Sequence, residues 1–480
     1  MALNTRQTQQ IEEDMISKLM DDVLLLILGK VDLMTLMRVS VLSKRWTHLP
    51  WLLTQLSIDI KDFLREPYTD LTVDDHVDKA MLSLTDAARS MLASNRRKCV
   101  ISRICISFFL TNSYSSEVGH LVNEVIENGM VKDIELTSGV ERFPFDVSNK
   151  EMTNHADGIN GFFARYPNIS CHLRTLHLYN ATFTETDMHN LIGNTCTQLR
   201  YLYLFQCDTG LGKSFRIDAP NSKLSKLEFF SCHSKQVEIV CLPKLELLIS
   251  GYWSSPYLPL TLGNVPCLKL VEIYCSMESY QGSFKLSELL RHTQINKLTL
   301  DFLGQKVWLQ PEKYQLRAAF SNLRVLSLAG IFVGFGLLWI IALLEVAPSL
   351  EILNIQVYDH ICRDEKQRLE TFGERTNGPW EVSESTTHLP LKELLLEGFN
   401  ATEEHIAFIG TIMGRASDLQ SVILKEQDCK KCAAISKSST EYKYPKNEQD
   451  QVVVVNKLRN RFSSRAEIIF SDDNTGFQSD

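Results

Sequence analysis

The chain lacks a charge signature. Its 50 lysines and arginines stand against 58 aspartates and glutamates, for a formal charge of −8 over 480 residues. That balance excludes the basic footprint by which a protein holds nucleic acid or an anionic membrane surface. The first fifteen residues, MALNTRQTQQIEEDM, lack the apolar core of a secretory signal, and their acids do not suit a transit peptide. The twelve cysteines are scattered, not framed as a disulfide scaffold. These absences predict an intracellular, reduced protein of the cytoplasm or nucleus. No P-loop, dinucleotide fingerprint, nucleophile elbow or H-E-x-x-H helix occurs, so no enzyme and no cofactor are expected. Cys429-Lys-Lys-Cys432 is a lone C-x-x-C. Zinc needs four ligands, and with no second pair nearby no metal site is expected.

Long uncharged runs are scarce too, with one exception. Val325 to Leu344, VLSLAGIFVGFGLLWIIALL, is long enough to span a bilayer. Three sequons, at Asn168, Asn180 and Asn400, are inert without a secretory route. The repeat described next gives the apolar run a different reading.

What the chain does have is self-similarity. The pattern L-x-x-L-x-L, with Ile, Val or Phe allowed, starts at Leu173, Leu199, Leu224, Leu242, Leu268, Ile295, Leu323, Leu350, Leu391 and Leu419. Weaker copies start at Ile101 and Val131. Successive starts from Leu173 differ by 26, 25, 18, 26, 27, 28, 27, 41 and 28 residues, mostly the period of a leucine-rich repeat. The last two apolar positions of each unit alternate, as on a short strand with one buried face. One unit cannot bury that face alone, so units must stack. Between strands the spacing is often helical, as for Met188, Leu191 and Ile192. The fold class expected is therefore α/β, a solenoid with a parallel sheet on its concave side. Cys207 and Cys232 fall at the ninth position of their units, a structural place. In this register the apolar run is a strand, a turn at Gly330, Gly334 and Gly336, and a helix leading to Leu350, not a membrane span.

The N-terminal stretch is different. Val23 to Leu28 is apolar on every side of a two-turn helix that Asp21 can cap and Gly29 can end. A segment of about 45 residues is too small to bury such a helix by itself. From Asp14 the chain reads DMISKLMDDVLLLILGKVDLMTLMRVSVLSKRW. This resembles the F-box in its plant form, D-x-I-S-x-L-P-D-D-V-L-L-x-I-L-S … R-T-S-V-L-S-x-R-W. The likeness is carried by Ile16, Ser17, Leu19, Asp21, Asp22, Val23, Leu24, Leu25, Ile27, Leu28, Arg38, Ser40, Val41, Leu42, Ser43, Arg45 and Trp46. Where that family has proline this chain has Met20, which forgoes a pre-set φ worth about 0.4–1 kcal/mol. The rest looks like the plant F-box/leucine-rich-repeat group with an FBD-like C-terminal region, carried by LKELLLEGFNATEEHIAFIGTIMGRASDLQSVILKE and RFSSRAEIIF.

The resemblance implies a substrate-recognition subunit of an SCF-type ubiquitin ligase with no chemistry of its own. It docks on a Skp-type adaptor, and through it on a cullin scaffold, and holds an unknown protein substrate on the repeats. No nucleic acid and no membrane are involved. Leu19, Met20, Leu24, Ile27, Val39 and Val41 are the expected adaptor contacts, and Trp46 packs inside the F-box or on the first repeat. The alternative is a repeat scaffold with a vestigial F-box. For a substrate face, strand alternation turns Leu202 and Leu204 inward and Tyr201, Tyr203 and Phe205 outward. Thr175, His177 and Tyr179 join from the unit before, and Lys226, Glu228 and Phe230 from the unit after. The substrate-binding candidates are His177, Tyr179, Tyr201, Tyr203, Phe205 and Phe230. The competing outcome is that the protein's own chain covers this patch. The expected division is a flexible tail over 1–13, the F-box over 14–58 and a helical linker over 59–98. The solenoid follows over 99–425, FBD-like from about 380, then a polar loop over 426–456 and a strand and tail over 457–480.

Overall fold

In the computed structural model every repeat segment but one forms its strand at the expected place. The structure describes residues 16–64, 74–93, 97, 99–110, 113–140, 142, 147–210, 213–232, 234–252, 260–275, 285–303, 309–310, 312, 314–332, 336–358, 387–426, 444–462 and 464–471. The C-x-x-C at Cys429 and the charged insertion before His388 lie outside these. The chain forms two compact units, and the division runs through the strand β4 (Leu173–Thr182).

The first unit comprises Met1–Val140 and Asn154–His177. It opens with helices α1 (Asp21–Leu28), α2 (Leu33–Val39) and α3 (Lys44–His48). Asp32 caps α2 by accepting from the Thr35 amide, and Ser43 caps α3 by accepting from that of Trp46. The expected cap on α1 is not there. Asp21 lies inside the first turn, and Met20 precedes it with no side-chain cap. The Asp21 carboxylate instead pairs with Arg45 at 2.7 Å, and Gly29 ends the helix with right-handed geometry. Trp46 is buried, as expected.

Strands β1 (Gln55–Asp59), β2 (Ile101–Phe108) and β3 (Val131–Ser138) then pair in parallel. β1 starts the sheet within the stretch assigned to the F-box, which corrects the boundary at 58. Helix α4 (Asp74–Leu92) lies within the stretch 59–98, and α5 (Ser113–Glu127) leads into β3. Gly119 on α5 makes room for aromatic packing: a Cβ there would lie 2.4 Å from Tyr166 Cε2 and 2.8 Å from Phe162 Cε2.

The second unit comprises Glu141–Thr153 and Leu178–Asp480. Its main sheet runs β5 (Tyr201–Asp208), β7 (Lys226–Phe230), β9 (Leu247–Gly251), β11 (Leu270–Tyr274), β12 (Lys297–Asp301), β13 (Val325–Phe332), β14 (Ile352–Tyr358), β15 (Glu393–Glu397), β16 (Ser421–Lys425) and β17 (Glu467–Ser471). All pairs are parallel. The register stacks Leu202, Leu227, Leu248, Val271, Leu298, Leu326, Leu353, Leu394, Val422 and Ile468 in one row, fully buried from Leu202 to Val422. This register corrects one unit. Leu247 pairs with Lys226 and Leu270, so the repeat starts at Leu245 and not Leu242.

Three units also depart from strand-plus-helix. β6 (Ser214–Asp218), β8 (Gln236–Cys241) and β10 (Leu260–Asn264) form a separate parallel sheet where helices were expected. Their intervals are the short ones, and SFRID, QVEIVC and LTLGN alternate in period two. The apolar run resolves into β13 and a short buried helix, Ile340–Glu345. Among the described residues no helix is long and apolar enough to cross a membrane. The expected polar loop over 426–456 is corrected in part, because Glu448–Arg461 is a helix capped by Asn447. It is tied to the helix Glu403–Arg415 by Lys457 and Arg461 on Glu403, and Phe462 lies where Gly410 has no side chain.

Buried titratable groups give two predictions. Burial lowers the His405 pKa to about 4, and its Nδ1 accepts from the Asn400 amide at 3.2 Å. The imidazole is neutral when folded, so its contribution is intact above about pH 6.5 and is lost as pH falls towards 4, on the order of 3 kcal/mol. Unfolding by urea across that range should show a smaller acid loss for His405→Gln than for the parent chain. Burial also pushes the thiols of Cys232 and Cys275 up to about 12, and that of Cys207 well above its ordinary value. Iodoacetamide at pH 8 should label exposed Cys171 within minutes and spare these three until denaturant is added, as read by mass spectrometry.

Candidate protein-interaction surfaces

The first surface belongs to the N-terminal helices. An apolar helix of two turns can bury only part of its circumference against α2 and α3. Leu24 and Leu28 face inward, whereas Leu26 is 73% and Ile27 42% exposed. Met20 at 71%, Val41 at 82%, Leu42 at 69% and Ile16 at 56% are also exposed. Arg45 pairs with Asp21 and donates to the Leu19 carbonyl, which draws the α2–α3 turn carrying Val41 and Leu42 to the start of α1. Contiguous exposed apolar patches on a protein surface mark interaction sites.

Of the residues expected to meet a partner, Met20, Ile27 and Val41 are exposed, and Leu19 and Val39 are half-buried. Leu24 is a correction: it is fully buried in the segment's own interior and offers no contact. Leu26 presents what Leu24 was expected to. The backbone at Met20 has φ −67°, the angle to which proline is locked, so the helix start keeps proline's geometry without proline.

The second surface is the sheet face of the second unit that points away from the leucine row. Strand alternation sends the first, third and fifth residues of each strand there. Ring centroids run 5.6 Å from Tyr179 to Tyr203, 6.0 Å from Tyr179 to Phe205 and 5.8 Å from Tyr203 to Phe230. The stripe continues from Phe230 to Tyr252 at 6.0 Å, from Phe230 to Tyr274 at 6.0 Å, and from Tyr252 to Tyr274 at 6.4 Å. Four of the six substrate candidates, Tyr179, Tyr203, Phe205 and Phe230, are thus joined by ring contacts. Tyr201 meets charged groups in the same unit, and His177 belongs to the first unit. The competing expectation, that the patch is covered, holds only for Phe205, which is buried. Tyr179, Tyr201, Tyr203, Phe230 and Tyr274 are half-exposed, and Tyr252 is exposed.

Sequence reasoning missed Tyr252 and Tyr274. Tyr274 was findable, since it holds the same register place as Phe230. Tyr252 was not. It follows Gly251, which occupies that place with no side chain. A Cβ on Gly251 would lie 2.8 Å from Tyr274 Cβ and 3.1 Å from Phe230 Cδ1, so only glycine lets these rings close over it. Tyr252 then takes φ +56°. The equivalent left-handed positions carry Asn180, Gln206, Ser231, Gly330 and Gly398. Holding a tyrosine there costs on the order of 1–3 kcal/mol.

Two carboxylates hold this face together electrostatically. Glu228 accepts from the Tyr201 hydroxyl at 2.9 Å and meets Lys226 Nζ at 2.8 Å, while that ammonium sits 4.3 Å from the Tyr201 ring centre. Glu272 accepts from the Tyr274 hydroxyl at 2.9 Å and meets Lys297 at 3.5 Å. Burial and then these carboxylates raise the pKa of both phenols, so they stay protonated as donors. Asp301, paired with Tyr274 across β11 and β12, is the third acid. Among the described residues no group of acids, histidines or cysteines is arranged to hold a metal ion.

The repeat geometry agrees with comparison to known proteins. The family model for the LRR domain of At1g61320/AtMIF1 matches residues 163–456. The chain belongs to this leucine-rich-repeat family. The match begins after the N-terminal helices and leaves them outside it. No curated protein matches the chain.

Substituting Gly251 by valine should lower the free energy of urea unfolding by about 1–3 kcal/mol, since backbone-proximal atoms of Tyr274 must move. Gly161→Ala is the control. No atom lies within 4 Å of its added Cβ, and a helical glycine replaced by alanine should be neutral or stabilising by up to about 1 kcal/mol.

Proposed function

We propose that the chain is the substrate-recognition subunit of an SCF-type ubiquitin ligase. It binds a Skp-type adaptor, and through it a cullin, with the N-terminal helices, and a target protein with the aromatic face of the repeats. It carries no chemistry of its own. The observation that carries this reading is the exposed apolar group of Met20, Leu26, Ile27, Val41 and Leu42 on a segment that resembles an F-box. A leucine-rich-repeat domain suits a protein-interaction role, and the exposed rings suit the anchoring of a protein partner.

Burying one aliphatic side chain is worth roughly 1.5–3 kcal/mol. The five together therefore supply at most roughly 7.5–15 kcal/mol against association costs of roughly 4–15 kcal/mol. The margin is small, so adaptor binding depends on all of them and on polar contacts around them. The second reading, a repeat scaffold whose F-box is vestigial, is favoured by one observation: the family match covers the repeats alone.

Co-purification with a Skp-type adaptor separates the two. Leu26→Asp combined with Val41→Asp should abolish adaptor capture with an unchanged melting temperature, because neither residue is buried. Capture absent from the parent chain leaves the scaffold reading, and capture that persists in this variant overturns the exposed apolar group as the adaptor contact.

A further inference from the structure

The two glutamates on the aromatic face each have a lysine, and Asp301 does not. Among the described residues no lysine or arginine pairs with it. Its described partner is the Leu303 amide, which donates to Oδ1 at 2.7 Å. Burial raises its pKa, as expected of a carboxylate with no cation beside it. The side chain is half-exposed and can still be reached.

Two rings, Tyr252 and Tyr274, stand beside it, and Phe230 packs on both from the far side. Tyr274 is its direct cross-strand neighbour. Tyr252 and Tyr274 lie only 20° from parallel, and Phe230 touches both with centroids 6.0 Å away. Tyr252 is 50% exposed, although an aromatic side chain gains most from burial. Its backbone is left-handed at a place where Asn180, Gln206, Ser231, Gly330 and Gly398 stand in other units, and Leu303 is left-handed one place later in the unit of Asp301. A strained residue that places an exposed ring next to an unpaired carboxylate points to a ligand.

We propose that Tyr252, Tyr274 and Asp301, with Phe230 bracing the two tyrosine rings, capture the guanidinium of an arginine on an exposed segment of a partner protein. The charge and the shape both select it. A guanidinium is planar and weakly hydrated, so it stacks on tyrosine faces while its N–H groups donate to a carboxylate. Asp301 Oδ2 is available for that bond while Oδ1 keeps the Leu303 amide. Lysine carries the charge but not the flat face. This deepens the reading of the sheet face as a partner-binding surface and is independent of what the N-terminal helices bind.

The test is titration of the full chain with a dye-labelled Gly-Ser-Gly-Arg-Gly-Ser-Gly peptide, read by fluorescence anisotropy. Peptides with citrulline or lysine in place of arginine are compared at the same ionic strength. The arginine peptide should bind at least tenfold more tightly than the citrulline peptide and at least threefold more tightly than the lysine one. Asp301→Asn keeps an acceptor for Leu303 and should weaken arginine binding at least fivefold with the citrulline peptide unaffected. Tyr252→Gly suits the left-handed backbone, so it removes the ring without harming the fold, and it should weaken arginine binding to a similar degree. Equal affinities for arginine and citrulline, no binding at low millimolar peptide, or Asp301→Asn binding like the parent chain would each overturn the proposal. Adaptor capture by Asp301→Asn should equal that of the parent chain, so failure here and failure of the ligase reading are told apart.

Discussion

The stacking of one apolar residue from each strand on the next is the constraint from which the rest of the second unit follows. Leu227 has no way to leave water except between Leu202 and Leu248, and Leu248 none except between Leu227 and Val271. Each such burial is worth roughly 1.5–3 kcal/mol, an upper range because the unfolded chain already hides some of this surface. No unit is stable without its neighbours, so the register cannot slip in one place alone. The cysteines at the ninth position are part of the same packing. Buried Cys207 lies with Sγ 3.4 Å from the Leu178 carbonyl, close to the unit before it.

A fixed inner row also fixes what faces outward. With Leu202 and Leu204 turned in, Tyr201, Tyr203 and Phe205 have only the opposite face, and the same holds for Glu228 and Phe230 one strand on. The sheet therefore behaves as a grid whose columns are set by the leucines and whose chemistry is set by the residues between them. Two tyrosine–glutamate–lysine groups appear on that grid, around Glu228 and Glu272. In each the acid lies among buried neighbours, so a phenol and an ammonium together make its charge tolerable. These groups stiffen the face and present its rings in a defined arrangement, which limits the side-chain entropy lost on binding.

Much of this was legible in the sequence, for a physical reason. Period-two alternation and a recurring interval both survive in a single chain, so strands from β11 onward and the outward place of Tyr203 or Phe230 could be read directly. Where two frames overlap, reading fails. LPKLELLIS offers leucines at both Leu242 and Leu245, and only pairing with Lys226 decides between them. The three-stranded second sheet was hidden because SFRID and LTLGN are too short to outweigh the expectation of a helix. Leu24 and Leu26 are identical in type, and which of them faces the interior depends on how α2 and α3 pack, not on local pattern. Tyr252 was invisible because its role rests on a missing side chain at Gly251 and a left-handed backbone.

Hydrogen exchange of the whole chain, followed by mass spectrometry, tests most directly whether the leucine row is what holds the repeats together. The amides of β7, β9, β11, β12, β13 and β14 should exchange slowly and with one common opening free energy, because none of these strands can open without exposing its neighbours. Leu298→Ala, in the middle of the row, should lower protection in β11 and β13 as well as in β12. Strands that exchange independently, with the loss confined to β12, would contradict the account.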